Sequence, residues 1–131
     1  MAKLLDTTAL IDILQGKPEL KKVLNLENDA LFTTDINVFE LFVGIHALKH
    51  SVHERVVAAE QLLARLHILG LDTVSARRAA CMQGMLYQKG MPITDADCLI
   101  AAIAIQQNIS TIMTRNKEHF GRIPGITVET Y

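Results

Sequence analysis

The 131 residues, 14.5 kDa in mass, suffice for one compact domain over residues 1–131 and fall short of two. Half are hydrophobic and 21% are charged, which excludes disordered, collagen-like and coiled-coil chains. Thirteen Lys and Arg against fourteen Asp and Glu leave a formal net charge of -1, which excludes tight charge-driven coating of nucleic acid but not local contact with it.

No apolar run approaches the roughly 18–20 residues of a membrane span. Met1–Asp6 lacks the apolar region and cleavage site of a secretion signal. Cys81 and Cys98 fall in helix-like segments without metal-ligand spacing, and read as reduced core thiols of a cytoplasmic protein.

In chain order, Lys3–Leu5 suits a buried strand closed by Asp6. Thr7–Gln15 places Ala9, Leu10, Ile13 and Leu14 on one helical stripe, ended by Gly16 with Pro18 beyond. Glu19–Leu26 is a short helix candidate, Ala30–Thr34 a strand, and Ile36–Leu48 a strongly apolar helix. Val52–Leu69 is the longest periodic segment, with a strand possible near Ile68–Leu71. Ser75–Lys89 reads as a helix stopped by Gly90 and Pro92, and Asp95–Gln107 as another. Thr111–Thr114 and Ile126–Val128 complete the strands. Short apolar strands separated by helices predict an α/β fold, its parallel sheet covered on both faces.

The carboxylates fall at telling places. Asp6 follows the first strand, and Asn116 follows the strand ending at Thr114. Asp95 and Asp97 open a helix, and Glu40 lies among Phe39, Leu41, Phe42 and Val43. Ligands of open parallel sheets collect at the carboxyl ends of the strands, where Asp6 and Asn116 lie and which Asp97 can face. Each also has a plainer role. Asp6 suits a helix cap, Thr94 and Asp97 are spaced like a capping box, and Asn116 can cap a short turn through His119. Glu40 can face solvent, but no Lys or Arg lies at helical spacing before Lys49, and burial without a partner is costly. Carboxylates gathered at one sheet edge repel each other, and a hard divalent cation, Mg²⁺ or Mn²⁺, reverses that repulsion. Such a cation also activates water against a phosphodiester.

Other chemistries lack their residues. There is no GxxxxGK[ST], GxGxxG or HExxH. His46, His50 and His53 would share a face only if one helix ran through Lys49–Ser51, where a turn is expected. Met82, Met85 and Met91 read as core filler.

With these residues in place, the sequence resembles the PIN-domain ribonucleases, above all the VapC-type toxins of prokaryotic toxin–antitoxin pairs. The carrying segments are Leu4-Leu5-Asp6-Thr7, Phe39-Glu40-Leu41 with Gly44, Pro92-Ile93, Asp97-Cys98-Leu99-Ile100-Ala101-Ala102, Thr114-Arg115-Asn116 with Phe120, and Ile123-Pro124-Gly125-Ile126. The resemblance implies a three-layer α/β/α sandwich with a mainly parallel central sheet, cleaving RNA with Mg²⁺ or Mn²⁺. On that pattern Asp6, Glu40, Asp97 and Asn116 are the catalytic positions. Asp6 and Asp97 are the metal ligands, with Glu40 and Asp95 further candidates. Thr7, Thr114 and Arg115 contact substrate. The fourth position is commonly Asp, and Asn116 brings no charge to it. The resemblance also implies a cognate antitoxin partner and a homodimer. Phe39, Phe42 and Ile45 crowd one helix, and these residues either fill the core or form a groove for an amphipathic partner helix. The alternatives are a PIN-like RNA- or protein-binding domain with weak or no nuclease activity, and a housekeeping RNA-processing nuclease.

Overall fold

The computed structural model describes residues 2–24 and 30–131, and these form seven helices around one five-stranded sheet. The elements run β1 (Lys3–Leu5), α1 (Thr7–Leu14), α2 (Pro18–Leu24), β2 (Leu31–Thr34), α3 (Asp35–His46), α4 (Val52–Leu63), β3 (His67–Leu69), α5 (Thr73–Gln88), α6 (Asp95–Gln106), β4 (Thr111–Met113), α7 (Lys117–Gly121) and β5 (Thr127–Glu129).

All strand pairings are parallel, in the order β3-β2-β1-β4-β5. Lys3 pairs with Leu31 on one side of β1 and with Thr111 on the other. Successive strand residues point to opposite faces, and the two cores follow that alternation. Leu4 and Ile112 feed a core shared with Ile100, Ala101 and Phe120, under α5, α6 and α7. Leu5 and Met113 feed a second core with Leu10, Leu41, Leu62 and Leu66, under α1, α3 and α4. Both faces of the sheet are therefore covered, giving the expected three layers.

Local chemistry sets the ends of the elements. Gly16 at φ 76° and Gly90 at φ 69° take the left-handed conformation that stops α1 and α5. Thr34 begins α3 with a full capping box: its hydroxyl accepts from the Asn37 amide, and the Asn37 side chain accepts from the Thr34 amide. Ser51 at φ 61° breaks the chain between α3 and α4, so no helix runs through His46, His50 and His53.

Several expectations change. The periodic segment Val52–Leu69 ends its helix, α4, at Leu63, and the strand expected near Ile68–Leu71 is the edge strand β3 at His67–Leu69. Its apolar spacing persists past Leu63 because Leu66 packs into the same core as Leu62 and Leu63. The helix candidate Glu19–Leu26 is α2, with residues 25–26 lying outside the described residues. Cys98 is buried, its thiol donating to the Ala79 carbonyl, but Cys81 is exposed. Met85 and Met91 are also exposed, on the outer side of α5 and in the loop beyond it, so neither fills a core.

Candidate active site

In a parallel sheet all strand carboxyl ends share one edge, and the crevice lies where the strand order reverses. Here that point falls between β1 and β4. Asp6 leaves β1 on one side of it, and Thr114, Arg115 and Asn116 leave β4 on the other. The start of α3 brings Asn37 to the same edge, with Glu40 one turn further, and the first turn of α6 brings Asp97.

Asp6 occupies the cap position of α1, yet its side chain does not cap the helix. It is buried, with Oδ1 accepting from Asn37 Nδ2 at 3.0 Å and Oδ2 from Thr114 Oγ1 at 2.7 Å. Asn37 Nδ2 also donates to Thr7 Oγ1 at 3.0 Å, and Thr7 Oγ1 donates to Glu40 Oε1 at 2.7 Å. On the other side Thr114 Oγ1 accepts from the Asn116 amide at 2.9 Å, and Asn116 Nδ2 donates to Asp97 Oδ2 at 2.8 Å. One continuous network thus links all four candidate catalytic positions, Glu40, Asp6, Asn116 and Asp97.

Asp97 is held from several directions. Thr94 caps α6 by accepting from the Asp97 amide, which is half of the expected box. Gln83 of α5 fixes the segment before α6: its Nε2 donates to the Ile93 carbonyl and its Oε1 accepts from the Ile93 amide. Arg122 donates to the Pro92 carbonyl. His119 Nδ1 lies 2.7 Å from Asp97 Oδ2.

Burial above all, then the nearby charges of Asp97 and Glu40, push the Asp6 carboxyl up to about 6, while the Thr114 hydroxyl pulls it down. A cation at this edge relieves the repulsion. The donors present are carboxylate and amide oxygens, the hard set suited to Mg²⁺ or Mn²⁺. Among the described residues, no three His, Cys, Asp or Glu stand close enough to ligate one ion together. The set therefore fits an ion held by one or two carboxylates and its own waters, the usual manner of Mg²⁺.

Four sequence candidates take different surroundings. Asp95 is exposed, and its Oδ1 accepts from Gln83 Nε2 at 3.2 Å, apart from the network. The hydroxyls of Thr7 and Thr114 donate to Glu40 Oε1 and Asp6 Oδ2, and so hold these carboxylates in place. Arg115 is half exposed at the rim: its amide donates to Thr8 Oγ1, and its Nε lies 2.8 Å from Asp12 Oδ2.

Sequence reasoning missed Asn37, His119 and Asp12. The spacing Thr34-x-x-Asn37 was a readable capping signal. Asp12 is buried beneath Arg115, where Tyr131 Oη donates to its Oδ2 at 2.5 Å and Lys17 Nζ pairs with Oδ1 at 3.0 Å.

A parallel α/β/α sandwich with acids at its switch point matches one family throughout. The PIN domain profile covers residues 3–126, and the chain belongs to the PIN-domain family, among its VapC-type members. The tRNA(fMet)-specific endonuclease VapC of Salmonella typhimurium is 32% identical over 130 residues, which is 98% of this chain and 96% of that protein. Ribonuclease VapC2 of Rickettsia felis is 28% identical over 135 residues, covering 100% and 98%. Among solved structures, VapBC2 from Rickettsia felis bound to a promoter DNA fragment superposes with a TM-score of 0.91 at 26% identity, covering 100% of this chain and 99% of that one.

Proposed function

We propose that this protein is a metal-dependent endoribonuclease, hydrolysing RNA phosphodiester bonds as the toxin of a toxin–antitoxin pair. The single observation that carries this is the hydrogen-bonded network joining Glu40, Asp6, Asn116 and Asp97 at the switch point of the sheet. The names of the relatives, an endonuclease and a ribonuclease, support the same chemistry.

In this account Asp6 and Asp97 hold the ion, Mg²⁺ or Mn²⁺, and Glu40 orients a water. When bound, the ion supplies Lewis-acid polarisation of the phosphate and a water of lowered pKa. Thr114 and Asn37 keep Asp6 in one rotamer, and Thr7 does the same for Glu40. Asn116 turns Asp97 toward the pocket. Arg115, steadied by Asp12, draws in a backbone phosphate from the rim.

The partner in this account is a cognate antitoxin, as the VapBC assemblies among the similar structures support. Two features of this chain agree. Phe39 and Val43 are exposed on α3, and an apolar groove between α1, α3 and α4 is lined by Ile11, Leu14, Leu41, Ile45 and Leu48. A homodimer and a cytoplasmic location complete the account; among the described residues no helix is long and apolar enough to cross a membrane.

Expression in bacteria tests the whole. The wild-type chain arrests growth and lowers intact RNA, Asp97→Asn does neither, and co-expression of the antitoxin encoded beside the gene restores growth. Growth unaffected by the wild-type chain, with no antitoxin recovered on it, would favour a binding domain of weak activity, the reading that Asn116 in an acid's place supports.

A further inference from the structure

The two oxygens of Asp97 have unequal surroundings. Oδ2 accepts from Asn116 Nδ2 at 2.8 Å and lies 2.7 Å from His119 Nδ1. Those two nitrogens stand 3.1 Å apart because both address the same oxygen. A carboxylate oxygen only accepts, so His119 Nδ1 carries the hydrogen in this contact. Among the described residues, no hydrogen bond reaches Oδ1.

His119 is well placed to hold this position. It lies on α7, next to Phe120, which is wholly buried in the core under α6. Its own side chain is mostly shielded, and that of Asp97 more so. The cap position of α7 belongs to Asn116, whose side chain makes no capping bond and turns instead to Asp97.

We infer that His119 is a positioning residue of the metal site: with Asn116 it locks Asp97 Oδ2, so that Asp97 offers Oδ1 alone and the pocket takes one divalent ion per chain. A carboxylate that bridges two ions spends one oxygen on each, and here Oδ2 is already saturated by two N–H donors. A second ion would also need the charge of a fourth acid. The residue at that position, Asn116, is neutral and has its amide hydrogen committed to Asp97. Donors behind a metal ligand fix its orientation and strengthen its hold on the ion. This inference rests on the metal-dependent reading above and adds to it the count of ions and a role for His119.

Titration of the full chain with Mn²⁺, followed by electron paramagnetic resonance without RNA, tests it. The wild-type chain takes one Mn²⁺, and Asp97→Asn loses it. His119→Ala binds about 10- to 100-fold more weakly, while His119→Asn, whose amide N–H can replace Nδ1–H, stays close to wild type. Asn116→Asp takes a second ion. Two ions in the wild type, His119→Ala binding as tightly as wild type, or echo modulation from a directly bound imidazole nitrogen would each overturn the inference and leave the nuclease reading standing. Mn²⁺ binding that is absent, or indifferent to Asp97→Asn, would overturn both. If His119→Ala does not fold, the ion count of wild type against Asn116→Asp decides the matter.

Discussion

Asn37 and Asp6, 31 positions apart in sequence, meet through a 3.0 Å hydrogen bond between two fully or almost fully buried side chains. The bond ties the start of α3 to the end of β1. It also converts a helix cap into a support for a buried carboxylate, since Asn37 both closes the Thr34 box and donates to Asp6.

Asn37→Ala removes the donor to Asp6 Oδ1 and half of that capping box. A buried acceptor left without its donor costs about 1–3 kcal/mol, more when it is charged, and a lost cap bond adds to this. The variant is expected to lose about 2–3 kcal/mol in urea denaturation at pH 7. Its RNA cleavage falls as well, because Asp6 is no longer held.

Asp6→Asn has the opposite effect on stability. The carboxylate is buried and repelled by Asp97 and Glu40 when no cation is present, which is why its carboxyl is pushed up to about 6. Removing that charge in metal-free protein at pH 8 raises stability by about 1–3 kcal/mol, since each tenfold weakening of an acid by folding corresponds to about 1.4 kcal/mol. Cleavage is abolished. A variant that is both less stable and active would contradict the assignment of Asp6.

Asp12 gives the pH dependence. Burial works against its charge, but the Tyr131 hydroxyl, Lys17 and the Arg115 guanidinium outweigh burial and hold its carboxyl below the ordinary value of 3.8. A carboxyl depressed by folding contributes stability above its unfolded value, and that contribution is lost as pH falls through the folded one. Asp12→Asn therefore lowers the denaturation midpoint at pH 7, and the gap to wild type closes below pH 3.8. Tyr131 acts at the other end. Burial first, and then Asp12, push its hydroxyl up to about 12, so its contribution is present below pH 10 and is lost as pH rises through about 12.

Arg115→Lys separates binding from folding. The arginine is half exposed and its backbone position is set by Thr8 and Thr114 rather than by its charge. Lysine keeps the charge but loses the planar fork that grips phosphate. The expected outcome is a KM for RNA raised about tenfold, equivalent to about 1.4 kcal/mol, with kcat nearly unchanged. Steady-state cleavage kinetics with Tm measured alongside check this.

Much of the architecture was legible because the strands are short, apolar and bounded by acids or helix caps, as at Leu4-Leu5-Asp6 and Thr111-Ile112-Met113-Thr114. The end of α4 was not, since no Gly or Pro marks it and Leu66 keeps helical spacing while serving as core. Asp6, Glu40, Asp97 and Asn116 stood out because acids and amides beside strand ends or amid apolar helix residues are unusual. Asn37 did not, because a polar residue at the third position of a helix reads as an ordinary cap until tertiary structure brings Asp6 to it. His119 and Asp12 act through residues distant in sequence, Asp97 and Tyr131, and no local pattern announces such pairs. The exposure of Cys81 and Met85 depends on which face of α5 meets the core, and its apolar residues are spread too widely to choose one.

The most direct test is cleavage of end-labelled, mixed-sequence RNA by the purified chain with Mg²⁺ or Mn²⁺, against EDTA and against Asp97→Asn. The expected result is discrete cleavage that requires both the ion and the Asp97 carboxylate. Cleavage that persists in EDTA, or that Asp97→Asn carries out at the wild-type rate, would contradict the metal-dependent mechanism.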